Sequence, residues 1–229
     1  MTKDYEEQLN AFSVAETRSQ AELYFSKYWL NKNELFERWL PIQNSIFDSR
    51  AEHLPDMMFK SNFELFPLVG GNVFLGEKDF TLLQDCMRET GDSHFVIIQN
   101  ENVIIKFYEP EDDWIVHPPL RFKYPVNTSW DELMSGGYIS IELFQGACKD
   151  FFIFGDSSNW GRYAANDYVQ PSNLLSSNPL IIMGFKNEYS EVFKKNFEQI
   201  RLLEPEITPE ILFSEWLPDS YKQRIASLS

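Results

Sequence analysis

The sequence predicts an α+β domain: a mainly antiparallel sheet with an N-terminal helical layer and C-terminal helices. Three observations carry this. The first sixty residues repeat apolar side chains at three- and four-residue steps. The middle of the chain holds short β-branched and aromatic runs separated by turn residues. Residues 188–203 place their apolar side chains on one face. The 229 residues therefore divide into a helical part (1–60), a mainly β core (61–187) and C-terminal helices (188–229). No linker is long enough to separate two domains, so a single domain is expected.

Within 18–40 the apolar positions are Leu23, Tyr24, Tyr28, Leu35, Phe36, Trp39 and Leu40. Asn31 and Asn33 interrupt the run and cap a second helix. Pro41 begins a third segment carrying Ile42, Ile46 and Phe47, and Pro55 closes it. Residues 63–75, with Pro67 and Gly70-Gly71, read as strand–turn–strand, and 79–89 as a helix with Phe80, Leu83 and Met87 at helical spacing. Residues 95–99 and 103–108 form a hairpin signal around Asn100-Glu101-Asn102. Residues 120–124 alternate with a period of two. The stretch 128–132 supplies an N-cap and first-turn acids for a brief helix ending at Gly136-Gly137. Further strands are expected at 151–154, 160–165 and 180–185, the first two joined by the turn-rich 155–159. Tyr189, Val192, Phe193, Phe197, Ile200 and Leu203 mark the next helix, and Thr208-Pro209 opens a last one running to about Trp216.

Composition narrows the function classes. Hydrophobic residues make up 43% and aromatics 16%, enough for a packed core. There are 35 Asp and Glu against 20 Lys and Arg, a net charge of −15. That balance argues against a nucleic-acid interface or a polybasic membrane module, both of which need clustered cations. Two cysteines, Cys86 and Cys148, cannot build a disulfide framework and suit a reducing compartment. The first eight residues lack an apolar stretch and the apolar runs are short, so a soluble, cytoplasmic protein is expected.

The chemistry-bearing residue types form no motif. His53, His94 and His117 are far apart, without the spacing of metal ligands, so no metal or other cofactor is expected. Gly155-Asp156-Ser157 matches three residues of a hydrolase block, yet no histidine follows His117 to act as base for Ser157. Gly70-Gly71 is not followed by Gly-Lys-Ser/Thr, so no phosphate cradle is built there. The densest acidic cluster is Glu109, Glu111, Asp112 and Asp113, followed by Trp114. It reads as a solvated loop tip or as a negative patch that steers a basic partner, with Trp114 as aromatic anchor. Calcium is a minor option, since the spacing departs from an EF-hand loop. A second candidate face gathers Asp156, Asn159, Trp160 and Arg162. There the alternative is that Gly155 and Gly161 serve turns, Trp160 packs inward, and Asp156 pairs with Arg162 six positions on.

The stretches 136–140 and 150–163, the latter an apolar strand ending in Gly155-Asp156 and followed by a second strand with Gly161, resemble the SUKH superfamily of cell-wall regulators and bacterial immunity proteins. Leu54-Pro55 and Gly70-Gly71-Asn72 match the family's earlier elements loosely, with Asn after the glycines. The resemblance spans about a hundred residues. It implies a mixed α+β domain without enzymatic activity that binds and neutralises a cognate toxin. An acidic inhibitor complements a basic, nuclease-like toxin domain. The expected function is therefore that of an immunity protein with a protein partner, binding neither nucleic acid nor membrane. A small-molecule enzyme or a ligand-binding regulatory module is the alternative.

Overall fold

A computed structural model describes residues 4–6, 9, 15–54, 56–69, 73–100, 119–137, 140, 150–169, 177–201 and 219–224. The elements, in chain order, are helix α1 (Ala15–Tyr28), the helical turn α2 (Lys32–Glu34), a π-helical turn (Leu35–Trp39), α3 (Leu40–Ile46), β1 (Phe63–Val69), α4 (Glu77–Glu89), β2 (His94–Gln99), β3 (Arg121–Pro125), α5 (Trp130–Leu133), β4 (Asp150–Gly155), β5 (Trp160–Val169), β6 (Ser177–Lys186), α6 (Ser190–Arg201) and α7 (Asp219–Lys222). The strands form one sheet in the order β1-β6-β5-β4-β2-β3, and every neighbouring pair is antiparallel. The chain is thus α+β, as its pattern predicts.

Both faces of the sheet are covered. Alternate residues of each strand point to opposite faces, and here both sets are apolar: all six residues of β4, Asp150 included, are buried. Phe95, Ile97, Phe122, Tyr124, Phe151, Ile153, Trp160 and Met183 face a layer containing Tyr24, Phe25 and Tyr28 of α1, Phe80 and Leu83 of α4, and Phe193 and Phe197 of α6. Val96, Ile98, Phe152, Phe154, Tyr163 and Ile182 face the other layer, with Trp39, Ile46, Phe47, Met58, Phe59 and Tyr221. The N-terminal helical part is therefore shared between the two faces, α1 on one and 30–59 on the other. The crossing point is at Trp29, which bridges to Phe122.

Local chemistry explains the irregularities. The π turn ends two residues before Pro41, which has no N–H for the carbonyl of Glu37 and whose ring would crowd it. Ser129 caps α5 in a reciprocal capping box with Glu132. Gly184 lies against the Phe59 ring, where a Cβ would overlap it.

Two expectations change, and a third lies outside the described residues. Beyond β1, Val73–Gly76 is an irregular lead into α4 rather than a second strand, and residues 70–72 lie outside the described set. Over Phe95–Ile98 both edges of β2 are taken, by β3 and β4, and the other arm of the predicted hairpin, 103–108, is also outside that set. So is the helix expected at 208–216. The short α7 lies beyond the helix expected at 208–216.

The two outer strands are closed by the chain itself. At β3, the Leu30 N–H donates to the Arg121 carbonyl (3.1 Å) while Arg121 Nε donates to the Leu30 carbonyl (2.8 Å). At β1, the Leu65 N–H donates to the Arg224 carbonyl (3.1 Å). Odd-numbered residues of β1 therefore aim their backbone groups outward. Pro67 falls on that register, where a missing donor discourages strand addition.

A buried ion pair pins the core. Arg162 of β5 meets Asp79 of α4 through two bonds, Nη1 to Oδ2 at 2.7 Å and Nη2 to Oδ1 at 2.8 Å, with side-chain exposures of 0% and 2%. Arg162 also donates to the Val73 carbonyl (3.1 Å) and to Met183 Sδ (3.0 Å). Its guanidinium lies 5.5 and 5.9 Å from the Phe74 and Phe197 ring centroids. Removing either charge leaves the other buried and uncompensated. Arg162→Met should therefore cost about 3–5 kcal/mol in urea unfolding, while Arg162→Met combined with Asp79→Leu should recover most of that loss. A double variant as damaged as the sum of the singles would show the two groups to be uncoupled.

Candidate functional site

Of the residues marked by the sequence, Glu109, Glu111, Asp112, Asp113 and Trp114 lie outside the described residues. The second group, at the turn between β4 and β5, is in view, and it is not a single surface. Trp160 and Arg162 are both 0% exposed. They point to the α4 face of the sheet, so neither can contact a partner, which corrects the expectation for both. Asp156 does not pair with Arg162, whose carboxylate is Asp79. Asp156 and Asn159 are half-buried at the turn.

Asp156 belongs to a reciprocal clamp between two turns with the same tripeptide, Gly91-Asp92-Ser93 and Gly155-Asp156-Ser157. Helix α4 ends as Asp92 N–H donates to the Met87 carbonyl (2.9 Å) and Gly91 takes φ +79°, a left-handed conformation that suits glycine. This brings Asp92 to the β4–β5 turn. Its Oδ1 accepts the Ser157 N–H (2.6 Å), and its Oδ2 accepts Trp160 Nε1 (2.6 Å) and Thr90 Oγ1 (2.7 Å). A Cβ at Gly155 would overlap this carboxylate. In return, Asp156 Oδ1 accepts the Ser93 N–H (2.8 Å), while its Oδ2 accepts Ser93 Oγ (2.6 Å) and Arg38 Nη2 (2.8 Å). Arg38 comes from the π turn, so the clamp also ties down the second-face layer. Asn159 accepts Lys186 Nζ through Oδ1 (2.9 Å), joining β6 to the same end of the sheet.

The two carboxylates differ electrostatically. Burial raises Asp92 above the ordinary carboxylate range, and its hydrogen bonds do not offset that. Burial also pushes Asp156 upward, but the bonds from Ser93 and His94 and the charge of Arg38 outweigh it and hold the group below the ordinary range.

Ser93, His94 and Asp156 are the three residue types of a hydrolytic triad, yet their geometry serves a different end. Ser93 Oγ donates its proton to Asp156, and His94 Nδ1 lies 3.0 Å from the same Oγ and 4.0 Å from Asp156 Oδ2. A triad needs imidazole between hydroxyl and carboxylate. Here the carboxylate takes the hydroxyl directly, and its lowered proton affinity makes it a weak base. Ser157 is equally committed: its N–H goes to Asp92 and its Oγ accepts from the Asn159 N–H (3.3 Å).

Other reactive groups are held in the fold. Cys86 is fully buried, accepts Asn196 Nδ2 (3.1 Å), and burial pushes its thiol up to about 12. Cys148 and His117 are outside the described residues. Among the described residues no group of three His, Cys, Asp or Glu could share a metal ion, and no helix is long and apolar enough to cross a membrane.

Sequence reasoning missed Arg38, Asp79, Asp92 and Ser93. The one available signal was the repeated Gly-Asp-Ser.

The clamp makes opposite demands on pH. Asp156, with its proton affinity lowered by folding, contributes stability that is fully present above its unfolded pKa and is lost as pH falls through the folded value. Asp92, with its affinity raised, contributes stability that is fully present below its unfolded pKa and is lost as pH rises through the folded value. Each Asp→Asn change should cost about 1–3 kcal/mol. In unfolding curves from pH 3 to 7, the cost of Asp156→Asn should grow with pH and that of Asp92→Asn should shrink. Parallel profiles would contradict the assignment.

Comparison with known proteins found no matching family model, no similar curated protein and no matching solved structure.

Proposed function

We propose that this chain is a non-enzymatic binding protein of the immunity type, related to the SUKH group, which neutralises a cognate toxin with a basic, nuclease-like domain. The observation that carries the reading is the surplus of 15 negative charges in a chain rich in core-forming residues. The surplus is concentrated: segment 101–118 has five acidic residues and one basic, and 202–218 has four acidic residues and none basic. A domain that grips nucleic-acid phosphates presents clustered Lys and Arg, and an anionic surface competes for them.

The clamp residues support the same reading from another side. Asp92, Ser93, Asp156 and Ser157 have polar atoms engaged within and between two turns. Donors and acceptors taken up within the fold support a structural role for these residues over that of a reaction centre. The docking face is assigned to Glu109, Glu111, Asp112 and Asp113, with Trp114 beside them.

Two measurements test this. Growth under expression of the toxin domain encoded next door should require this chain, and pull-down should recover that domain. Recovery of no basic partner would end the reading. The triple change Glu111→Lys, Asp112→Lys and Asp113→Lys should slow association about tenfold or more at low salt and flatten its salt dependence. An unchanged association rate would remove this segment as the docking face.

A further inference from the structure

The last described residues, α7 and the turn after it, are fixed in an unusual way. Tyr221 is 0% exposed and belongs to the second-face cluster with Leu54, Met58, Phe59, Phe63 and Leu65. Its hydroxyl donates to the Asp56 carbonyl and accepts the Met58 N–H (3.2 Å). Three positions on, the Arg224 carbonyl takes the Leu65 N–H at the outer edge of β1. The Arg224 guanidinium donates to three main-chain carbonyls: Phe59 (2.8 Å), Phe63 (3.0 Å) and Lys60.

Two features leave the polar part of this contact incompletely satisfied. Among the described residues Arg224 has no carboxylate partner, so its charge is met by carbonyl dipoles alone, and its Nε is buried without an acceptor. Burial lowers the proton affinity of the guanidinium, the mark of a cation whose desolvation is not fully offset. Arg162 makes the contrast: it is more deeply buried but has a bidentate carboxylate. These hydrogen bonds from Tyr221 and Arg224 go to residues 56–65, at the rim of the sheet, and residues 219–224 belong to none of its strands. Release of the segment would break no pairing between strands.

We propose that residues 219–224 form a displaceable latch keyed by Arg224. It opens while the sheet stays folded, and it uncovers a cradle of three carbonyls that selects a guanidinium. In the closed state the chain's own Arg224 fills the cradle. In the open state an arginine side chain of a partner can take its place. A planar fork of donors can reach several carbonyl oxygens at once, whereas an ammonium is a compact charge that cannot span them.

Native-state hydrogen exchange tests the latch. The amides of Met58 and Leu65 should exchange through an opening that leaves Ile97 and Ile153 protected. Arg224→Ala should speed the first two at least tenfold without affecting the other two. Tyr221→Phe, which keeps the ring and removes both hydroxyl bonds, should act in the same direction and serves if the first variant folds poorly. On Arg224→Ala, ethylguanidinium at tens of millimolar should restore slow exchange at Leu65, and ethylammonium should not. The latch is overturned if Met58 and Leu65 exchange only together with Ile97 and Ile153, or if the variants speed all four amides alike. The cradle is overturned if the two cations act equally or neither restores protection.

Discussion

The constraint on which the structure depends is a six-stranded antiparallel sheet that must be covered on both faces. Antiparallel sheets commonly leave one face to water, but here strands such as β4 are apolar on both. The chain therefore uses α1, α4 and α6 on one side, and residues 30–59 with Tyr221 of α7 on the other. A short stretch, Trp29 and Leu30, carries it around the edge of β3. With both faces covered, new contacts are left to the rim and ends of the sheet and to the outsides of the covering layers.

The interior is also polar in a few selected places. Arg162 enters the aromatic layer only because Asp79, at the start of α4, turns inward to meet it. The same carboxylate accepts the Leu75 N–H (2.9 Å), so one side chain satisfies a charge and the entry to a helix. Buried carboxylates with full hydrogen-bond sets specify a unique arrangement at some cost in stability. Asp92 and Asp150 follow the same pattern. Asp92 takes the Trp160 indole N–H and Asp150 the Tyr163 hydroxyl (2.5 Å).

The elements most legible in the sequence were those whose apolar period is long or unbroken: the strands at 151–154, 160–165 and 180–185, and helices α4 and α6. Pairing was less legible. Sequence proximity pairs residues 95–99 with 103–108, but β2 lies between β3 and β4; apolar runs give no information about which edges meet. The candidate site was legible only as a turn. Trp160 and Arg162 stand next to Asn159 in sequence, and a strand with two covered faces sends both inward. Asp79 and Asp92 looked like ordinary members of an acidic chain, since burial of a charge depends on a partner distant in sequence. Segment 101–118 keeps the role that its composition suggests, as a proposal.

The doubled Gly-Asp-Ser turn has a consequence for how the chain reaches this state. The two bonds that define it join residues 63 and 65 positions apart. The β4–β5 hairpin, by contrast, closes over four residues. Loop-closure entropy places local pairing first and such distant contacts later. The clamp is thus a late checkpoint in folding. Only a chain that has already aligned β2 beside β4 in the native register brings both carboxylates within reach of the opposite serine amides.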